Sequence, residues 1–231
     1  MSRAVAAARL HAIHAPVALG VPWLVVGSSF AINLAIWAAM SPEARAAGGT
    51  GGLVSLYITV GIVFLQSVTQ LFPLAMGLSL TRRTFYLGTL LTAGLQSLVF
   101  GVVLTVFTLV ENATGGWGVG LSFWAPGRLD VDNPALQVVV FAVPMLLASV
   151  VGTGLGVVVK RWGQTGMWVL GITSLLLSGL AGVLVTYSGS WRAVGAFFLD
   201  APLAVLVLVV PGLAAVALAG LGFAGLRRAV P

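Results

Sequence analysis

The chain contains no cysteine. Disulfides, thiol nucleophiles and thiolate metal sites are therefore excluded, and cysteine usage says nothing about the redox compartment. Charge is equally scarce. Only 7% of the 231 residues are charged, against about a quarter in an ordinary soluble domain, so a soluble globular fold is excluded as well. Histidine occurs at positions 11 and 14 alone, and an HxxH pair with no carboxylate beside it is no credible metal site. The eleven basic and five acidic residues put the pI at about 11.2, a value that in a soluble protein points to nucleic acid. Here the basic residues stand singly or in pairs at the ends of apolar runs. No basic face interleaved with aromatics exists to follow a phosphate backbone. The Gly-rich stretch 152–161, GTGLGVVVKR, lacks the Gly-Lys-Ser/Thr ending of a phosphate-binding loop. Asp130 and Asp132 lack the further oxygens of a calcium cage.

What the chain has in quantity is apolar length: 59% of it is hydrophobic and the mean hydropathy is +1.11. A helix of about 20 apolar residues spans the hydrocarbon of a bilayer, and six runs reach that length: 17–40, 53–76, 85–110, 135–159, 166–187 and 201–226. The expectation is one all-α integral membrane domain of six spans. The first run is too long for the apolar core of a signal peptide and five more follow it, so it reads as a span. Residues 1–15, with Arg3, Arg9, His11 and His14, read either as a short amphipathic helix on the inner surface or as a solvated, frayed end.

Six spans put both termini on one side together with the second and fourth connections. That side holds Arg3, Arg9, Arg82, Arg83, Lys160, Arg161, Arg227 and Arg228 and no acid. The other holds Arg45, Arg128 and Arg192 with Glu43, Glu111, Asp130, Asp132 and Asp200. Positive side chains near span ends are retained inside, so both termini are expected in the cytoplasm.

The pivot of the chain is 76–88, MGLSLTRRTFYLG, a short basic turn between two long apolar runs. Its Gly-x-Ser-x-x-Arg pattern (Gly77, Ser79, Arg82) and the following Phe85, Tyr86 and Gly88 resemble the ABC-2 type permeases, the membrane subunits of a large group of ABC transporters. The likeness is motif-level only here; elsewhere it is one of topology. It implies an ABC-2, type V exporter-like fold in which 77–84 is a cytoplasmic coupling helix docking on a separate ATP-binding subunit, with Gly77, Ser79, Arg82, Arg83 and Phe85 at the contact. It implies two copies of that ATPase, which would hold ATP and magnesium. It also implies a second permease copy, identical or paralogous, and outward movement of an apolar or amphiphilic substrate such as a drug, lipid or peptide. This chain would carry no cofactor and no catalytic residue. The turn 160–166, KRWGQTG, is similar to a basic-Trp-Gly turn of small permeases. Lys160, Arg161 and Trp162 then form a second contact with the ATPase or, with no partner, a positive-inside anchor.

Within the runs no ionisable side chain reads as clearly buried, which disfavours a proton- or sodium-coupled carrier. Uncharged polarity remains. Ser55, Thr59, Gln66 and Gln70 share one helical face, and Asn33 and Gln96 stand alone in the first and third runs. Such groups seek partners away from lipid, either in interhelical hydrogen bonds or along a pathway lined by Asn33, Thr59, Gln66, Gln70 and Gln96. Gly152 with Gly156, and Gly220 with Ala224, permit close helix contact within one subunit or between two. Pro73, Pro144 and Pro211 fall inside runs and free backbone carbonyls. Of the outer segments, 111–134 is the long one, its Trp117, Phe123 and Trp124 reading as interfacial anchors at the headgroups, with a substrate-facing lid as the alternative, and 188–200 reads as a short helix in the outer interface. Alanine, glycine and valine in excess, with arginine over lysine, suggest a GC-rich bacterium and its plasma membrane. Two rival classes stay open: a membrane-embedded binding or immunity protein that transports nothing, and a channel or secondary carrier.

Overall fold

The computed structural model describes residues 15–47 and 49–227. The expected inner-surface helix, with Arg3, Arg9, His11 and His14, and the basic Arg228 lie outside them. No strand occurs among the described residues. In chain order the helices are α1 (Ala15–Ala39), α2 (Pro42–Ala47), α3 (Val54–Gly77), α4 (Arg82–Ala113), α5 (Pro134–Tyr187), α6 (Trp191–Asp200) and α7 (Val210–Leu226). A π-helical turn, Val205–Val209, leads into α7 just before Pro211, which cannot donate to the preceding turn. Among the described residues five helices are long and apolar enough to cross a membrane, with Val205–Leu226 counted as one. The chain is a multi-pass helical membrane protein.

The longest helix cannot be one straight span. Its 54 residues would extend about 80 Å at 1.5 Å per residue, against a hydrocarbon core of about 30 Å. It breaks at Gly163, whose φ of 63° and ψ of −155° are not helical and suit a residue without a Cβ. Just beyond, a Cβ on Gly166 would stand 2.5 Å from Trp162 Cβ and 3.3 Å from Val158 Cγ1. Residues eight apart in a continuous helix are about 12 Å apart, so the chain folds back on itself here.

The half of α5 before Gly163 packs on α3, α4 and α7. Lipid tails are as apolar as leucine, so close approach of backbones rather than exclusion of water holds membrane helices together. Glycine supplies it. A Cβ on Gly152 would meet the Gly61 carbonyl carbon at 2.7 Å, one on Gly156 the Val68 Cβ at 2.7 Å, and one on Gly101 the Val138 carbonyl oxygen at 2.7 Å. The Gly152/Gly156 pair thus works within the chain, against α3, whereas Gly220 has nothing within 4 Å of a Cβ. Four hydroxyls in the packed faces bond inside their own helices. Thr105 donates to the Gly101 carbonyl (2.8 Å), Thr108 to Leu104 (3.0 Å), Ser149 to Met145 (2.9 Å) and Thr153 to Ser149 (2.8 Å), which satisfies them without water.

Two apolar cores result. One joins Phe72, Phe85, Tyr86, Val157 and Leu226 near the α3–α4 turn. The other joins Val26, Leu56, Phe64, Phe100, Phe141 and Met145 with Leu121, Phe123 and Trp124. The last three come from the segment after α4. The expectation of headgroup-anchored rings there is overturned for Phe123 and Trp124, which are buried among Trp23, Phe30 and Phe107. Trp124 stacks on Phe107 with centroids 4.6 Å apart. Asn133 then caps α5, its Oδ1 accepting from the amides of Ala135 (2.9 Å) and Leu136 (3.2 Å), with Pro134 following.

Candidate functional site

The described charges separate by end. Arg82 Nη1 donates to the Arg227 carbonyl oxygen, Arg83 lines one hollow with them, and Arg161 lines a larger one with Arg227. These define a basic end. At the other, Glu111 closes α4 and Asn112 Nδ2 donates to Asp130 at 2.9 Å. Arg128 donates from both Nη atoms, at 2.8 Å each, to the carbonyls of Leu199 and Ala201 on either side of Asp200. Arg45 donates to the carbonyls of Met40 and Ala38 at the end of α1, in the segment that carries Glu43. Among the described residues no acid lies at the basic end.

There the chain makes a turn rather than the short coupling helix that the resemblance implies. α3 stops at Gly77 and α4 starts at Arg82. Ser79 takes a left-handed backbone, φ 58°, and its amide donates to the Met76 carbonyl while that of Leu80 reaches the Ala75 carbonyl, each at 3.0 Å. This is the paired-bond helix stop that glycine usually occupies. Thr81 then caps α4, its Oγ1 accepting from the Thr84 amide at 3.2 Å. Gly77, Ser79 and Arg83 are exposed and Arg82 half-buried, so these four form a surface. Phe85, expected at the same contact, is buried against Phe72 with centroids 5.5 Å apart and faces the core. Of the second basic turn, Trp162 is exposed, Lys160 and Arg161 are half-buried, and the Arg161 guanidinium lies 4.1 Å from the Trp162 ring centroid.

The expected pathway residues are not brought together in one channel. Asn33 donates to the Ser29 carbonyl (2.8 Å) and accepts from Thr50 Oγ1 (2.9 Å). Thr59 bonds the Ser55 carbonyl in its own helix (2.7 Å). Gln96 is buried and donates to the Ala18 carbonyl of α1 at 3.3 Å. Gln66 and Gln70 instead lie exposed on the outer side of α3, beside Ile62.

A residue that sequence reasoning missed is Glu111. It sits inside α4 and is 3% exposed, one residue past the run 85–110, where the sequence placed it in the outer segment. Its carboxylate accepts from the amide of Phe123 at 3.0 Å, from that of Trp124 at 3.2 Å and from Trp117 Nε1 at 2.9 Å. Three donors on one acidic group fasten the aromatic segment over the end of the bundle. The signal was an acid one residue past an apolar run and followed by a Gly/Trp cluster, a pattern that any exposed loop shares.

Compared with models of known protein families, with curated proteins and with solved structures, the chain matches none.

Proposed function

We propose that the chain is the permease subunit of an ATP-driven exporter of the ABC-2 type in a bacterial plasma membrane. It crosses the bilayer six times, the reversal at Gly163 dividing α5 into two spans, and has its basic end in the cytoplasm by the positive-inside rule. The observation that carries the reading is the turn 77–84. It projects Gly77, Ser79 and Arg83 from the basic end, between two packed helices, on a side with no described acid. A separate ATP-binding subunit docking there would move α3 and α4 together. This chain holds no nucleotide and hydrolyses nothing itself; ATP and magnesium belong to the partner.

Exposed Gln66 and Gln70 support the pairing of two copies. An amide facing hydrocarbon lacks hydrogen-bond partners, and a second permease copy, identical or paralogous, would cover both and complete a polar strip with Thr59. The substrate class, apolar or amphiphilic, is the one the ABC-2 resemblance implies.

The test is co-purification of the tagged chain from its native membrane, comparing wild type with Arg83→Glu. Arg83 is chosen because Arg82 also bonds the last helix. Capture of an ATP-binding subunit that the charge reversal releases supports the reading. A wild-type chain that emerges without an ATPase, or retention unaffected by the reversal, rejects it in favour of a non-transporting membrane protein.

A further inference from the structure

A groove of about 1040 Å³ lies between the first half of α5, the helix just after Gly163 and the end of α7. Leu155, Val158, Leu218 and Leu221 wall it. A Cβ on Gly154 would meet nothing within 4 Å, so that side of α5 stands open. From Val150 to Arg161 the groove runs about 16 Å at 1.5 Å per residue, half of a hydrocarbon core of about 30 Å. It is apolar over one leaflet and changes character at its end. There Arg161 lies over the Trp162 ring at 4.1 Å, and Arg227 stands 6.0 Å from the Phe223 ring centroid. Arg82 and Arg83 join Arg227 around the adjoining hollow.

We propose that this groove is a binding site for one anionic phospholipid of the cytoplasmic leaflet. An acyl chain lies along Leu155, Val158 and Leu221, and the phosphate is held by the guanidinium groups of Arg161 and Arg227. The charge argument selects the occupant. Planar guanidinium groups bind phosphate oxygens in forked pairs, and basic pockets between membrane helices on the cytoplasmic side hold anionic headgroups. No described acid at that end competes for the arginines, and Trp162 sits where an indole meets the headgroup layer. The site needs only the membrane placement of the chain and stands whether or not the chain exports anything.

Native mass spectrometry of the purified full-length chain in detergent, titrated with phosphatidylglycerol or phosphatidylcholine, tests it. The wild type should hold phosphatidylglycerol at least tenfold more tightly. Arg161→Gln with Arg227→Gln should weaken phosphatidylglycerol about 30-fold, at about a factor of five per charge near the surface, and phosphatidylcholine, whose choline offsets its own phosphate, by much less. Gly154→Phe, which fills the groove and keeps both arginines, should weaken both lipids. Arg192→Gln, outside the groove, should change neither. Equal binding of the two lipids by wild type, or unchanged phosphatidylglycerol binding in the double variant, overturns the proposal. So does unchanged binding in Gly154→Phe, which reduces the effect to surface charge. If the double variant does not stay monodisperse, Gly154→Phe decides alone.

Discussion

Trp117 donates its indole Nε1 to Glu111 at 2.9 Å from a backbone held at φ 60°. A bulky residue in the left-handed region is strained, and it stays there because the carboxylate beneath it also binds the amides of Phe123 and Trp124. Glu111→Ala would leave three donors without their acceptor. It should destabilise the protein by at least about 3 kcal/mol, since each orphaned buried group costs about 1–3 kcal/mol. Glu111→Gln, which keeps one acceptor oxygen, should fall between. Thermal unfolding in detergent gives the stability, and a red shift of tryptophan emission would report the loosened segment.

The crossing of α3 and α5 depends on the absence of two side chains. Gly152→Ala puts a methyl group against the Gly61 backbone and should cost about 1–3 kcal/mol as overpacking. Gly220→Ala, with nothing within 4 Å, should be neutral or stabilising, because alanine is the better helix former by about 1 kcal/mol. Paired unfolding curves of the two variants measure the contrast; equal effects would contradict the crossing.

Ser79 occupies a left-handed position that suits glycine. Ser79→Gly should therefore stabilise the turn by about 1 kcal/mol, whereas Ser79→Val should destabilise it by at least as much, because a β-branched residue tolerates that region least. The exposed side chain makes no hydrogen bond among the described residues that glycine would lose, so unfolding midpoints should separate the variants in that order.

A chain without cysteine allows single introduced thiols to be mapped without background. Ser79→Cys and Gln164→Cys should react with a membrane-impermeant maleimide only after the cells are opened. Asn112→Cys and Ser188→Cys should react in intact cells. All four positions are exposed. Labelling of positions 164 and 188 from the same side would mean that α5 does not form two spans.

Much of the helical framework was legible because apolar runs end where charge or glycine begins. The run 53–76 and helix Val54–Gly77 differ by one residue at each end, and 201–226 and the last helix share Leu226. The break in α5 was marked by KRWGQTG, where the reversal centres on Gly163. The aromatic segment was not legible. Its burial depends on rings from α1 and α4, Trp23, Phe30 and Phe107, which lie far off in sequence and carry no local periodicity. The amides show the same divide. Helical spacing put Thr59, Gln66 and Gln70 on one face of α3, but only packing distinguishes Thr59, half-covered, from the two exposed glutamines. Phe85 was placed at the coupling surface by the ABC-2 resemblance, yet the first turn of α4 rolls it inward against Phe72.

The contacts that close the basic end join the start of α4 to α7, partners made far apart in the order of synthesis. Tyr86 Oη donates to the Ala219 carbonyl at 2.7 Å and Arg82 reaches the Arg227 carbonyl, partners 133 and 145 residues apart. A nascent chain inserting helix by helix would hold α3 and α4 in the bilayer with the Tyr86 hydroxyl and the Arg82 guanidinium still unmatched until α7 emerges. A chain arrested before residue 219 would expose this half-built corner to membrane quality control, while its Gly61–Gly152 crossing was already in place.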